Sequence, residues 1–90
     1  METKEWTVRI SLAEDGDDTS ARATLTTGDG ESVTGTGRAR RNPADPSQPR
    51  IGDELAASRA LADLAQRLAV ITSHDISESD AESPAPTRSW

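Results

Sequence analysis

The stretch ESVTGTGRAR, Glu31 to Arg40, decides how this chain can fold. Successive side chains of an extended strand point to opposite faces, so one face of this stretch would carry Val33, Gly35, Gly37 and Ala39. The glycines at 35 and 37 leave that face nearly bare, which allows another element to approach the strand closely. We expect that element to be a helix of the same domain.

Two further strands are predicted upstream. EWTVRISLAE alternates apolar with polar residues, the pattern of a half-buried strand, and its apolar residues are Trp6, Val8, Ile10 and Leu12. SARATLT alternates more weakly, with inward positions at Ala21, Ala23 and Leu25. Gly16 lies in a polar turn between these two runs, and TGDGE before the glycine-bearing strand is typical of a β-hairpin.

Downstream, GDELAASRALADLAQRLAVI (52–71) has the spacing of an amphipathic helix. Its expected apolar face carries Ala57, Leu61, Leu64, Leu68 and Ile71, with Leu55, Ala60 and Ala65 alongside. Asp53 and Glu54 suit the start of this helix, as a cap or as charges at the positive end of its dipole. The sequence therefore predicts an α+β fold in which a three-stranded antiparallel sheet is followed by one long helix (β-β-β-α).

The connection from the third strand to this helix, Arg41 to Gly52, contains three prolines, and we expect no regular element in it. Pro43 would fix a tight turn in which Asn42 and Asp45 bond neighbouring amides. We interpret five residues as a rigid loop that sets the helix start: Asn42, Pro43, Asp45, Gly52 and Asp53.

The end of the chain differs in composition from the rest. ISESDAESPAPTRSW is acidic and rich in Ser and Pro, with little to bury. We therefore expect one domain over residues 1–76 and a disordered tail over 77–90, with a short turn of helix around 75–80 left open.

Length and composition restrict the class of protein. Ninety residues form a small core, and the absence of cysteine excludes disulfides and thiolate metal sites, so we expect a homodimer to provide further burial. A single histidine, His74, is too few for a zinc site. No targeting segment or run of 18 apolar residues occurs, which predicts a cytoplasmic protein without membrane contact.

Three motifs associated with catalysis or ligand binding are incomplete in this sequence. Asp15, Asp17 and Asp18 lack the spacing and the final Glu of a calcium loop. GTG at 35–37 lacks the third glycine of a dinucleotide-binding motif. A serine nucleophile would need a nearby base, and the single histidine, His74, lies at a predicted helix end. We therefore expect no enzyme activity, no cofactor and no small-molecule substrate.

Arginines concentrate next to the proline-rich loop although the formal net charge is −6: they are Arg38, Arg40, Arg41 and Arg50. Their guanidinium groups could bind phosphate oxygens together. They could also pair with aspartates of this chain or with carboxylates of a second copy. Both interpretations stay open on the residues alone.

Four segments, WTVRISL, GRARRNPAD, IGDELAASRALADLAQRL and SHDI, resemble an actinobacterial family of small proteins of unknown function. That family has a fold like the double-stranded-RNA-binding domain (dsRBD). One mycobacterial member is induced in dormancy under low oxygen and is similar in structure to ribosome hibernation-promoting factors. The resemblance covers roughly residues 5–76 and implies a homodimeric β-β-β-α subunit with a role in silencing or protecting ribosomes.

Two functional hypotheses follow. The first is a stress-associated hibernation-like factor whose arginine patch contacts ribosomal RNA. The second is a homodimeric protein interaction module with no RNA contact. Salt separates them, because phosphate contacts weaken steeply with ionic strength and an apolar interface changes little.

Overall fold

The computed structural model describes residues 1–45 and 48–82, the last four by their backbone alone. Its elements are β1 (Thr7–Asp15), β2 (Asp18–Thr26), β3 (Ser32–Arg40) and α1 (Pro49–Glu82). The strands form one antiparallel sheet in the order β1-β2-β3, which leaves β1 and β3 as its edges. The predicted α+β class and β-β-β-α order are confirmed.

Both strand connections are tight turns that need glycine. Gly16 has φ of 62° and Gly30 has φ of 91°, a backbone region that residues with a Cβ rarely adopt. In the second turn the Gly30 N–H donates to the Thr27 carbonyl at 3.1 Å, and the Thr27 N–H donates to the Glu31 carbonyl at 2.9 Å. The two predicted turns are thus present.

The strand register defines two faces of the sheet, because residues paired across antiparallel strands point the same way. Ala23 of β2, for example, lies between Ile10 of β1 and Gly35 of β3. We call the face against α1 the helix side and the other the open face. The helix side carries Val8, Ile10, Leu12 and Glu14 of β1, Thr19, Ala21, Ala23 and Leu25 of β2, and Val33, Gly35, Gly37 and Ala39 of β3.

The helix backbone packs directly on the glycines of β3. A Cβ added to Gly35 would lie 2.6 Å from the Ala60 carbonyl oxygen, and one added to Gly37 would lie 2.5 Å from that of Ala56. Ala56 and Ala60 are themselves fully buried. The expected close approach of a helix at these glycines is confirmed.

The buried face of α1 overlaps the expected one at Ala60, Leu64 and Leu68 but is rotated away from Leu61. The helix contributes Ala56, Ala60 and Leu64 to the core, and Leu68 packs at its margin. Leu61 and Ile71 are each 42% exposed, so their predicted burial is wrong for the single chain. The reason is steric: the backbone of α1 at Ala56, Ala60 and Leu64 lies directly on Gly35 and Gly37, and the stripe that carries these three residues therefore faces inward.

The helix also begins earlier than expected. Pro49 opens it, which suits a residue that has no N–H to leave unpaired in the first turn. The Ile51 N–H donates to the Gln48 carbonyl at 3.0 Å. Gly52 and Asp53 therefore lie inside the helix, and the expectation that the loop lasts through Gly52 is wrong.

At its other end α1 continues to Glu82, so residues 77–82 are helical where a disordered tail was expected. No glycine or proline interrupts the chain between Asp53 and Ser83, and an i, i+4 pair of His74 with Glu78 at 3.6 Å supports the last turns. Residues 83–90 of the expected tail lie outside the described residues. Within the described part of the chain, α1 contains no stretch long and apolar enough to cross a bilayer.

Strand β1 is paired but poorly covered. The helix lies chiefly over β3 and β2 and barely touches β1. Val8, Ile10 and Leu12 point to the helix side, yet 39% to 45% of each residue is exposed. The predicted strand is present, but its apolar row is not buried within one chain.

Prediction for the helix contact: Gly37→Ala should lower the free energy of unfolding by about 1–3 kcal/mol, because its new methyl group overlaps the helix backbone and forces α1 away from the sheet. Urea unfolding measures this loss.

The matched control is Gly28→Ala. Nothing lies within 4 Å of a Cβ at Gly28, and we expect a change within about 0.5 kcal/mol. Equal stability of Gly37→Ala and wild type would contradict the close contact.

Candidate interaction surfaces

Arg41 is held inside the domain. Its side chain donates two hydrogen bonds to the Asp17 carboxylate, at 3.0 and 2.6 Å, and a third to the Asp45 carbonyl at 2.5 Å. The Arg41 N–H also donates to the Asp17 carbonyl at 2.8 Å. These bonds tie the loop after β3 to the first turn, which makes Arg41 a structural residue.

The loop itself turns as its sequence suggests. The Asn42 side chain accepts from the Ala44 N–H at 3.0 Å, and its carbonyl accepts from the Asp45 N–H at 2.9 Å. Pro43 lies within this turn. Asp45 therefore contributes backbone groups to the turn and to the Arg41 contact.

Arg50 lies apart from the other predicted arginines. It is in the first turn of α1, and its exposed side chain lies 3.7 Å from Glu54, one helical turn away. Exposed i, i+4 pairs of this kind contribute only tenths of a kcal/mol. The structure thus separates the four predicted arginines into two on the open face, one in the loop and one on the helix.

Arg38 and Arg40 point to the open face. Arg40 lies opposite Asp18 in the register and 3.5 Å from its carboxylate, with both side chains exposed. Arg38 lies opposite Ser20, and within the described residues no carboxylate pairs with it. Of the predicted set, Arg38 is the cation most available to a partner.

Two arginines that the prediction did not include join it. Arg22 of β2 lies opposite Thr36 of β3, two residues before Arg38. On its other side Arg22 lies opposite Ser11 of β1, two residues after Arg9. Arg22 is therefore the diagonal neighbour of both Arg38 and Arg9. Diagonal neighbours of this kind are about 7–8 Å apart. Arg9, Arg22 and Arg38 thus cross all three strands in one diagonal line, and all three are exposed.

The signal for this line was present in the sequence: Arg9 and Arg22 occupy the polar positions of the two alternating strands. Only the register shows that they meet Arg38. We call the three the arginine diagonal.

Hydroxyl groups surround the arginine diagonal on the open face. They belong to Thr7, Ser11, Ser20, Thr24, Thr26, Ser32, Thr34 and Thr36. Thr24 and Thr34 share a hydrogen bond at 3.2 Å. The strand residues of this face comprise four arginines against two aspartates, Asp15 and Asp18, so it is positive by two charges on a chain of net −6.

Side chains of α1 cap the outer edge of β3. The Asp63 carboxylate accepts from the Thr36 N–H at 2.8 Å and from Arg67 at 3.0 Å. These two donors lower the pKa of Asp63. Arg59 donates to the Arg38 carbonyl at 2.7 Å, so two of the edge groups that a foreign strand would pair with, the Thr36 N–H and the Arg38 carbonyl, are engaged by the helix.

At the start of α1, two carboxyl groups meet on the helix side. Asp53 of the helix lies against Glu14 of β1, and one oxygen of Asp53 is buried without a hydrogen-bond donor among the described residues. A hydrogen bond with Asp53, together with its negative charge, raises the pKa of Glu14. Gly52 lets the helix approach here, since a Cβ on it would lie 3.0 Å from the Thr19 hydroxyl.

These features define a class of protein: a small α+β domain with a polar, arginine-bearing sheet face and a partly uncovered helix side. The chain belongs to the Rv2632c-like family, whose model matches residues 4–85. It is 49% identical over 71 residues to the uncharacterized proteins Mb1767 of Mycobacterium bovis and MT1780 of Mycobacterium tuberculosis, covering 79% of this chain and 74% of each relative.

Rv2632c of Mycobacterium tuberculosis, also uncharacterized, is 43% identical over 72 residues, which cover 80% of this chain and 76% of that protein. The crystal structure of Rv2632c superposes with a TM-score of 0.80 at 39% identity. That match covers 93% of this chain and 98% of the solved one. The expected membership of a small actinobacterial family of unknown function is therefore confirmed.

Prediction for the carboxyl pair: Glu14→Gln should raise the melting temperature at pH 7. The raised pKa means that the folded state favours protonated Glu14, so wild type loses stability as pH rises through that pKa. The side-chain amide introduced by Glu14→Gln can donate a hydrogen bond to the Asp53 carboxylate and carries no charge at any of these pH values. The difference between the proteins should vanish below the ordinary pKa of glutamate, about 4.3.

Glu54→Gln is the control, since that carboxylate lies near Arg50 and should not gain stability on neutralisation. Thermal melts of the three proteins between pH 3.5 and 8 make the comparison. A Glu14→Gln protein no more stable than wild type at pH 7 would show that the two carboxyl groups do not repel each other.

Proposed function

We propose that this protein is a non-enzymatic, homodimeric binding protein of the cytoplasm whose open face contacts the phosphate backbone of ribosomal RNA. The observation that carries the proposal is the arginine diagonal: Arg9, Arg22 and Arg38 are exposed, aligned and without a carboxylate partner among the described residues. Guanidinium groups bind phosphate oxygens through paired, charge-assisted hydrogen bonds.

The composition of the open face favours contact with phosphates over contact with bases. Its remaining side chains are mostly hydroxyls, which hydrogen-bond phosphate and ribose oxygens. The sheet carries no aromatic platform on which bases could stack, because the chain has only Trp6 and Trp90. Binding of this kind recognises the shape and charge of RNA with little sequence preference.

The acidic remainder of the chain restricts how RNA can approach. A net charge of −6 repels a polyanion at long range, so attraction is confined to the open face. The ribosome as the source of the RNA, and a role under stress or in dormancy, rest on the resemblance to dsRBD-like proteins similar to hibernation factors. The step from that family to the ribosome is an analogy of fold, through one member that is similar in structure to hibernation-promoting factors.

Catalysis has little support in the arrangement of side chains. A hollow of about 420 Å³ lies between the first turn, the loop and the start of α1, and it contains Glu14, Asp17 and Arg41. Arg41 and Asp17 are bonded to each other there, which leaves them unsuited to substrate binding. We therefore include neither a cofactor nor a small-molecule substrate in the proposed function.

The second candidate is a homodimeric protein interaction module without RNA contact. The exposed apolar residues of β1 favour it, because monomeric proteins seldom leave a row of large apolar side chains in water. Both candidates include a homodimer and differ only in RNA contact, which would use the opposite side of the sheet from the apolar residues of β1, so RNA contact can be tested by itself.

Prediction for RNA contact: the purified protein should co-sediment with ribosomes from its own source at low salt and dissociate at moderate salt. Arg22→Glu, at the centre of the arginine diagonal, should abolish co-sedimentation at low salt, where the wild type binds. Each lost phosphate contact should also reduce the slope of log affinity against log salt by about 1.

Arg50→Glu is the matched control, because it makes the same charge change at an exposed arginine away from the open face. It should co-sediment like wild type. Equal loss in both variants would indicate a general effect of net charge. Absence of wild-type protein from the ribosome fraction at low salt would exclude the ribosomal proposal and leave the interaction module.

A further inference from the structure

Ser20 lies at the centre of the positive part of the open face. Arg38 is directly opposite it on β3, and Arg22 is two residues further along β2. Arg40, two residues beyond Arg38, is its diagonal neighbour on β3. Neighbours of these three kinds lie about 5–8 Å apart on a sheet. Three guanidinium groups can therefore reach a ligand that rests on the Ser20 hydroxyl.

The surface around Ser20 is concave because small side chains lie there between long ones. Two shallow hollows, of about 660 and 770 Å³, meet on this face, and both are lined by Ala13, Ser20 and Arg38. Arg22 lines the first hollow and Arg40 lines the second. Volumes of this size are typical of ligand sites. We call the floor of Ala13 and Ser20, with the three arginines around it, the Ser20 hollow.

The cations of the Ser20 hollow are available to a ligand. Neither Arg22 nor Arg38 pairs with a carboxylate among the described residues. Arg40 lies 3.5 Å from the Asp18 carboxylate, but both side chains are exposed, and exposed ion pairs are weak. An anion that enters the hollow therefore competes with Asp18 for Arg40 at little cost.

A phosphate monoester matches these groups better than a backbone diester does. A monoester has three terminal oxygens and a charge of about −1.5 to −2 at pH 7. A diester has only two terminal oxygens and a single charge. Each guanidinium group can donate to a different oxygen through charge-assisted hydrogen bonds. Three arginines around one position therefore favour the group with three acceptor oxygens.

The hollow also lies where a nucleic-acid strand would have to end. From Arg38 the arginine diagonal runs through Arg22 to Arg9, toward the far end of the sheet. In the opposite direction the open face ends with the carboxylates of Asp15 and Asp18, next to the first turn. Phosphates are attracted along the diagonal and repelled by these carboxylates, so a strand that occupies the hollow can leave it only along the diagonal.

We propose that the Ser20 hollow binds the terminal phosphate of an RNA strand, held on Ser20 between Arg22, Arg38 and Arg40. The following backbone diesters lie over the rest of the arginine diagonal toward Arg9. This inference rests on the proposed function, because RNA is the source of the phosphate. It adds the part of the RNA that the open face selects, an end that carries a phosphate monoester.

Fluorescence anisotropy with a short, internally labelled RNA at low salt tests the proposal. The same sequence is prepared with hydroxyls at both ends, with a 5′-phosphate and with a 3′-phosphate. At least one phosphorylated form should bind about tenfold more tightly than the hydroxyl form, the gain expected from one further charge-assisted contact. Adenosine monophosphate, which carries the same group without a strand, should bind more weakly than the phosphorylated RNA.

A pair of variants tests the position of the phosphate. Ser20→Glu places a carboxylate among the three arginines and should remove the preference for a phosphorylated end. Ser32→Glu makes the same change at the other end of the open face and should keep that preference. Both serines are exposed, and circular dichroism should show the wild-type fold in each variant.

A second pair tests the competition for Arg40 and does not depend on Ser20. Asp18→Asn releases Arg40 and should widen the preference for a phosphorylated end by about two- to fivefold. Asp75→Asn makes the same change in net charge at an exposed position of α1 and should leave the preference unchanged.

The outcomes distinguish this inference from the proposed function. Equal affinity for hydroxyl-ended and phosphorylated RNA, or a preference that survives Ser20→Glu, would overturn the Ser20 hollow and retain RNA contact. Adenosine monophosphate that binds as tightly as phosphorylated RNA would retain the hollow as a monoester site and overturn RNA as its ligand. Absence of binding by every RNA and by the mononucleotide would overturn both.

Discussion

The direct contact between the backbone of α1 and the glycines of β3 is the constraint on which the rest of the structure depends. Because Gly35 and Gly37 have no side chains, the helix descends onto β3 until the buried alanines of α1 touch the strand. The helix is then held sideways as well, since Asp63 bonds the edge of β3. A helix fixed over β3 and β2 reaches β1 only near its start, and most of the helix side of β1 therefore stays uncovered.

The two faces of the sheet consequently differ in chemistry. One face combines arginines and hydroxyls and has no helix upon it, while the other is apolar and only partly covered. Most of the acidic residues lie elsewhere, in the turns and along α1. A protein of net negative charge can in this way present a positive face to one partner and an apolar groove to another.

Much of the fold follows from residues next to one another in the sequence. Alternation in β1, β2 and β3 predicts the strands, and the spacing in α1 predicts the helix, because these signals depend on local geometry. The buried helix face was not predictable in the same way. Periodicity predicts a broad apolar stripe that includes both Ala60 and Leu61, and only the contact with the glycines of β3 shows that Ala60 is buried while Leu61 is exposed.

The arginines of the candidate site were also only partly predictable from the sequence. Arg41 follows Arg40 directly in the sequence, yet an aspartate 24 residues earlier holds it within the domain. Arg9 is far from Arg38 in the sequence and shares a face with it only through the register of three strands. The clustering of arginines along the chain therefore indicated positive charge near β3. Which arginines share the open face depends on the pairing of the strands, which the sequence does not show.

The order of the elements along the chain affects its synthesis. Each strand pairs with the one made just before it, so both hairpins can form as soon as they leave the ribosome. The helix that covers them is the last element to emerge, and a sheet without a packed face is only marginally stable. The nascent chain therefore keeps its apolar face open to solvent and chaperones until α1 has been translated and can pack on the sheet.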